Sequence, residues 1–235
     1  MIYKDYRRNH VILPGRDEAL ERFLGQEYKG LHHKQRNAVS SNSEDALTWS
    51  CFDILSSHPA VDRASALDEI LEDSFEGQSP LSFRQRGIPS HDITIHVGKT
   101  YAGLTTKEAT EVDASVEAPG ILVFIEAKLY SAASPASPPE KPHDQIARKL
   151  RVGLDSIQNS SLDFFFIVLD VAPVKMMYEK RPKQEAIEGR SGGYASKWRT
   201  AWMYQYYKRG SNGSLRPLKS ALEGVCREKV ALTCG

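Results

Sequence analysis

An α/β fold, helices packed around a central sheet, is predicted by three observations. Apolar residues recur at helical spacing through the first third of the 235-residue chain. From Leu81 the period changes to the alternation of strands, with runs rich in Val, Ile and Phe. A further helical stripe, Ile146, Leu150, Leu154 and Ile157, lies between the last two of those runs, which makes a β-loop-α-β unit.

The elements follow in order. Ala19, Leu20, Phe23, Leu24 and Tyr28 predict a helix over 17–31, with Asp17 and Glu18 suited to its positive end. Leu47, Cys51, Ile54 and Leu55 share one face of a second helix over 43–57, closed by Pro59. A third, more acidic helix is expected over 64–75. Strands are expected over 81–86, 92–97, 111–117, 121–130 and 164–171. Residues 132–142 hold four prolines and read as a surface loop, because proline removes backbone donors and fixes φ. Beyond residue 174 the chain reads as helical or irregular, and no internal repeat is present.

Length and composition suggest one domain of ordinary globular make-up, with 40% hydrophobic and 26% charged residues. Its expected parts are a helical region over 1–79, a core over 80–173 and a basic extension over 174–235. No run of about 18 apolar residues offers a membrane span, and the charged start lacks the layout of a secretion signal. Three widely spaced cysteines show no metal-ligand spacing. A cytoplasmic protein is the expectation. The formal net charge is only +1, yet 38–79 carries net −8 and 180–209 net +6, so one face can be basic.

The informative stretch runs from Glu111 to Lys128. Ile121 to Ile125 is a continuous apolar run, as in a strand buried on both faces. It continues directly into Glu126-Ala127-Lys128, and ionised groups beside such a strand are costly unless paired or metal-bound. Glu126 and Lys128 share a face, about 6.6 Å apart. Pro119-Gly120 marks a tight reversal. A hairpin centred there pairs positions that add to 239, setting Asp113 opposite Glu126 and Glu111 opposite Lys128. Because proline cannot supply the positive φ of the favoured two-residue turns, a four-residue loop over 118–121 or a bulge is expected. The four-residue loop keeps the register; the bulge would swap the faces. Two opposed carboxylates about 5 Å apart repel by about 3 kcal/mol at an effective dielectric of 20, and such converging oxygens are what a divalent cation requires.

Val112-Asp113, a twelve-residue gap and Glu126-Ala127-Lys128 resemble the PD-(D/E)xK nuclease superfamily, with Val112 in place of the first proline. Two further stretches extend the resemblance over about 37–170. Asn42 to Trp49 resembles the upstream helix that supplies another carboxylate, here Glu44, and His143 to Arg148 resembles the helix that follows the lysine strand. The resemblance implies a restriction-endonuclease-like mixed central sheet flanked by helices, in a bacterial protein that hydrolyses DNA with Mg²⁺, Mn²⁺ substituting. Asp113, Glu126, the Ala127 carbonyl and Glu44 would hold the ion. Lys128 would orient or help deprotonate the attacking water. Gln145 and Arg148 would contact DNA, and cutting both strands would favour a homodimer.

Two readings stay open beside these. Ser41-Asn42-Ser43-Glu44 is a capping box in which Glu44 reaches back to Ser41, a purely structural role. Tyr194 to Arg209 interleaves aromatics with Lys197, Arg199, Lys208 and Arg209, which suits phosphate contact and base stacking, or else an amphipathic helix burying Trp198, Trp202 and Tyr206. A catalytically silent binding module and an RNA or branched-DNA nuclease are the alternative functions. No zinc spacing, phosphate-cradling Gly-rich loop or Gly-x-Ser-x-Gly elbow is present.

Overall fold

Pro119 and Gly120 alone connect two antiparallel strands, since Ala118 already pairs with Ile121. Only Gly120 needs a positive φ, at 76°, and proline is suited to the position before it. The expected four-residue loop is therefore a two-residue one, and the register survives: every pair from Ala114↔Ile125 to Ala118↔Ile121 adds to 239.

A computed structural model describes residues 2–27, 31–74, 79–128, 134, 139, 143–157 and 160–170. Helices α1 (Asp17–Leu24), α2 (His33–Asn37), α3 (Glu44–Ser57) and α4 (Arg63–Ser74) precede strands β1 (Thr94–Ala102), β2 (Ala109–Ala118) and β3 (Ile121–Lys128). Helix α5 (Gln145–Ser156) then leads to β4 (Asp163–Asp170). The strands form a mixed sheet in the order β1-β2-β3-β4, antiparallel except for the parallel β3–β4 pair.

Helices lie on both faces of this sheet. Val97, in register with Ala114 and so with Ile125, packs against Leu20, Phe23, Leu24, Ala38 and Trp49 from the α1 to α3 region. Leu122 points to the opposite face, and Phe164 beside it meets α5 at Gly153. All eight residues of β3 are buried, as its apolar run predicts.

Gly153 leaves the space that the Phe164 ring fills, for a Cβ there would fall inside the ring's envelope. Gly153→Ala is therefore expected to lower stability by about 1–3 kcal/mol, outweighing alanine's helix-propensity gain of about 1 kcal/mol. A rise in melting temperature would contradict this packing. The far end of α5 is fixed by Asp155, fully buried, whose carboxylate accepts from the Thr105 and Thr106 amides, both at 2.9 Å, and from their hydroxyls at 2.6 and 2.8 Å. That clasp ties α5 to the β1–β2 connection.

Several expected elements differ from the structure for local reasons. The first helix stops at Leu24, because Gly25 follows and is a poor helix former; Tyr28 lies outside the described residues. Residues 81–86 form a turn and not a strand. Leu81 and Phe83 are buried, which produces the alternation, but the amides of Phe83 and Arg84 donate to the Asp68 carboxylate, at 2.7 and 3.3 Å. Strand β1 runs on to Ala102, past the expected end at Val97. The loop over 132–142 lies almost wholly outside the described residues, and so does everything from residue 171, including Lys197 and Arg199.

Candidate active site

Burial of β3 carries Glu126 and Lys128 into the interior at the strand's end, where they are 0% and 4% exposed. Extending the register one step beyond Ala114↔Ile125 sets Asp113 opposite Glu126, and the Ala127 amide donates to Asp113 Oδ2 at 2.8 Å. The two carboxylates face one another as the hairpin arithmetic requires.

Two lysines compensate them. Lys128 Nζ lies 2.5 Å from Glu126 Oε1 and 3.5 Å from Glu44 Oε1, and donates to the Ala127 carbonyl at 3.0 Å. From α5, Lys149 pairs with Glu126 Oε2 and stands 3.3 Å from Asp113 Oδ1. The sequence reading missed Lys149, although it interrupts the helix's apolar stripe three residues after Ile146 and one before Leu150. A cation on the buried face of a helix, near an expected acid pair, was the available signal.

Glu44 is the first residue of α3, and the cap is Ser43, whose hydroxyl accepts from the Ala46 amide at 3.2 Å. The capping-box reading with Ser41 therefore gives way to a Glu44 that faces Lys128. Asp144 caps α5 by accepting from the Ile146 and Ala147 amides, both at 3.0 Å. Its first turns are held further by Glu108, which accepts from Arg151 Nε at 2.6 Å and pairs with His143 at 2.7 Å. Gln145 Oε1 accepts from the Ser134 amide at 3.1 Å, and Arg148 is half-buried beside Lys149.

Lys34 of α2 adds a third ammonium group. It pairs with Glu111, is accepted by Gln26 Oε1 and lies 4.3 Å above the Phe23 ring. Gly98 makes room for it, because a Cβ there would lie 2.7 Å from Lys34 Nζ. Five carboxylates, Glu44, Asp45, Glu111, Asp113 and Glu126, thus meet three lysines, a net charge of −2 when all are ionised.

The fields follow from this arrangement. Burial disfavours the Asp113 anion, but Lys149 and Lys128 outweigh burial and hold its carboxyl below the ordinary range. Glu126 is pushed upward, first by burial and then by the Asp113 charge, more than the two lysines offset. Burial opposes charge on Lys128 and Lys149 as well, yet the facing carboxylates raise both, so both are firmly ammonium.

Asp45 is pushed up to about 6, chiefly by burial; Lys34 pulls the other way, and the Asp113, Glu44 and Glu111 charges add to the rise. The native state therefore holds a proton in the window between the ordinary aspartate value and about 6 that the unfolded chain has lost. Stability contributed at Asp45 falls as pH rises through that window. Asp45→Asn is expected to stabilise the fold by about 1–2 kcal/mol at pH 8 and by almost nothing at pH 4. Thermal melts at the two pH values check it, and equal shifts would refute the assignment.

Among the described residues, no three His, Cys, Asp or Glu side chains stand together as a metal cage. Mg²⁺ needs none: it keeps several waters and is commonly held by one or two carboxylates. Glu126 Oε1, fully buried, is held by the Lys128 ammonium alone, in an ion pair whose angles are poor for a hydrogen bond. That poorly aligned oxygen, the opposed Asp113 and an excess of carboxylates over lysines are the hard oxygen donors that a divalent ion takes. The Ala127 carbonyl is taken by Lys128 in this arrangement.

Comparisons with protein-family models, curated proteins and solved structures return no match.

Proposed function

We propose that this chain is a Mg²⁺-dependent nuclease that hydrolyses DNA phosphodiester bonds, an endonuclease of the restriction or defence type. One observation carries the reading: two opposed carboxylates, Asp113 and Glu126, meet a buried lysine two residues further along the same strand. Structural packing alone gives no reason to concentrate so much charge at the end of an apolar strand, because buried ion pairs contribute little net stability against apolar packing.

Asp113 and Glu126 would hold the ion, with Glu44 as a further ligand directly or through water. Mg²⁺ supplies Lewis acidity and a bound water of lowered pKa. Lys128 places an ammonium charge beside the reacting phosphate and is itself positioned by Glu44, 3.5 Å away. Arg148 and Gln145, on the flank of α5 that carries Lys149, suit contacts with the DNA backbone. Lys197 and Arg199, outside the described residues, would extend that contact. A homodimer would present two such sites, one for each strand.

The test is incubation of the purified chain with plasmid and Mg²⁺ or Mn²⁺, beside Lys128→Ala. Magnesium-dependent cleavage lost in the variant supports the reading, and cleavage retained by the variant sinks it. RNA and branched DNA belong in the same assay. A second reading, a silent nuclease fold serving as a binding module, is favoured by one observation: each oxygen of Glu126 already faces an ammonium group. Calorimetric titration separates the two, since a silent module would show no Mn²⁺ binding that Asp113→Asn removes.

A further inference from the structure

Lys149 stands where a cation joining Asp113 and Glu126 would sit. Its Nζ contacts Glu126 Oε2 and lies 3.3 Å from Asp113 Oδ1, while the remaining oxygens face Lys128 and the Ala127 amide. We propose that Lys149 is an internal counter-ion that holds this position and leaves it when a divalent cation enters, so that ammonium and metal compete for the same two carboxylates. The inference rests on the nuclease reading and adds a residue that governs loading of the site.

The geometry offers both the plug and its exit. Lys149 is 2% exposed and comes from a helix, whereas both carboxylates come from the sheet. Its four-carbon stem can therefore move the ammonium without moving either carboxylate. The site opens on the side of Asp113 and Glu44, whose side chains are 24% and 31% exposed. Lys128 is poorly placed for the same part, because it is tied to Glu44, Glu126 and the Ala127 carbonyl at once. An ion with two positive charges at the bridging position would repel the Lys149 ammonium, and both cannot occupy it.

Two measurements on the whole chain test the competition. In calorimetric titration with Mn²⁺, Lys149→Met is expected to bind about tenfold more tightly than the natural chain, the factor equivalent to about 1.4 kcal/mol. Asp113→Asn should abolish the binding in either background. Equal or weaker binding by Lys149→Met overturns the inference and leaves the nuclease reading standing. Absence of Asp113-dependent binding in both chains overturns the nuclease reading and the inference with it. Should Lys149→Met not fold, labelling of the natural chain decides. An amine-reactive ester, followed by peptide mass spectrometry, should modify Lys149 several-fold more in saturating Mn²⁺ than without it. Unchanged labelling while Mn²⁺ binds through Asp113 refutes the displacement.

Discussion

If the chain is the nuclease proposed, Lys128→Ala is expected to reduce Mg²⁺-dependent cleavage of plasmid DNA by about 10²–10³-fold, the usual loss when one preorganised electrostatic group is removed from a reacting centre. The ammonium group is buried, and Glu126, Asp113 and Glu44 keep it charged against the pull of burial. A charge so held costs no reorganisation when negative charge develops on the phosphate, which is the condition for a large effect. Glu44→Gln should cost less. It leaves the ammonium group in place and removes one of three partners, the one at 3.5 Å. Lys128→Arg should not restore the rate, because a planar guanidinium cannot occupy the compact position between Glu126, Glu44 and the Ala127 carbonyl. Circular dichroism on each variant separates lost chemistry from lost structure, and a folded Lys128→Ala that cuts at the natural rate refutes the role.

The parts of this site that were legible in the sequence are those fixed by local chemistry. Pro119-Gly120 specifies a reversal, the apolar run Ile121 to Ile125 specifies burial, and period-two geometry then sets Asp113 against Glu126 without knowledge of the rest of the chain. The loop length differs from the expected four residues without changing the register, because two-residue and four-residue connections centred on the same dipeptide give the same pairs. Other features depended on competition between neighbours. Ser41 and Ser43 are both credible caps, and the choice of Ser43 turns Glu44 from a cap partner into a neighbour of Lys128. Leu81 to Arg86 alternates like a strand, but the Asp68 carboxylate of α4 takes the amides that a strand would have paired. Lys149 was hidden for a different reason. Its meaning depends on where α5 lies over the sheet, and that is set by distant contacts such as Asp155 with Thr105 and Thr106, and Gly153 with Phe164.

Single replacements of Glu126 or Lys149 by uncharged residues are expected to destabilise the chain by about 3–5 kcal/mol each, because each leaves a buried charge without its partner. Glu126→Leu strands the ammonium of Lys149 beside Asp113 alone. Lys149→Met leaves Asp113 and Glu126 facing one another with Lys128 to offset them. Combined, Glu126→Leu and Lys149→Met remove one charge of each sign and fill the same volume with apolar atoms, while Lys128 keeps Glu44. The double variant should therefore lie within about 1–2 kcal/mol of the natural chain, giving a coupling energy well above the few tenths expected of independent sites. Urea denaturation of the four chains measures this cycle, and additive losses would mean that Glu126 and Lys149 do not act as a coupled pair. Mn²⁺ gives the cycle its functional sign. It should raise the melting temperature of Lys149→Met more than that of the natural chain, since at one ligand concentration stabilisation grows with the logarithm of affinity for the folded state. It should leave the double variant unmoved, because one of the two opposed carboxylates is gone.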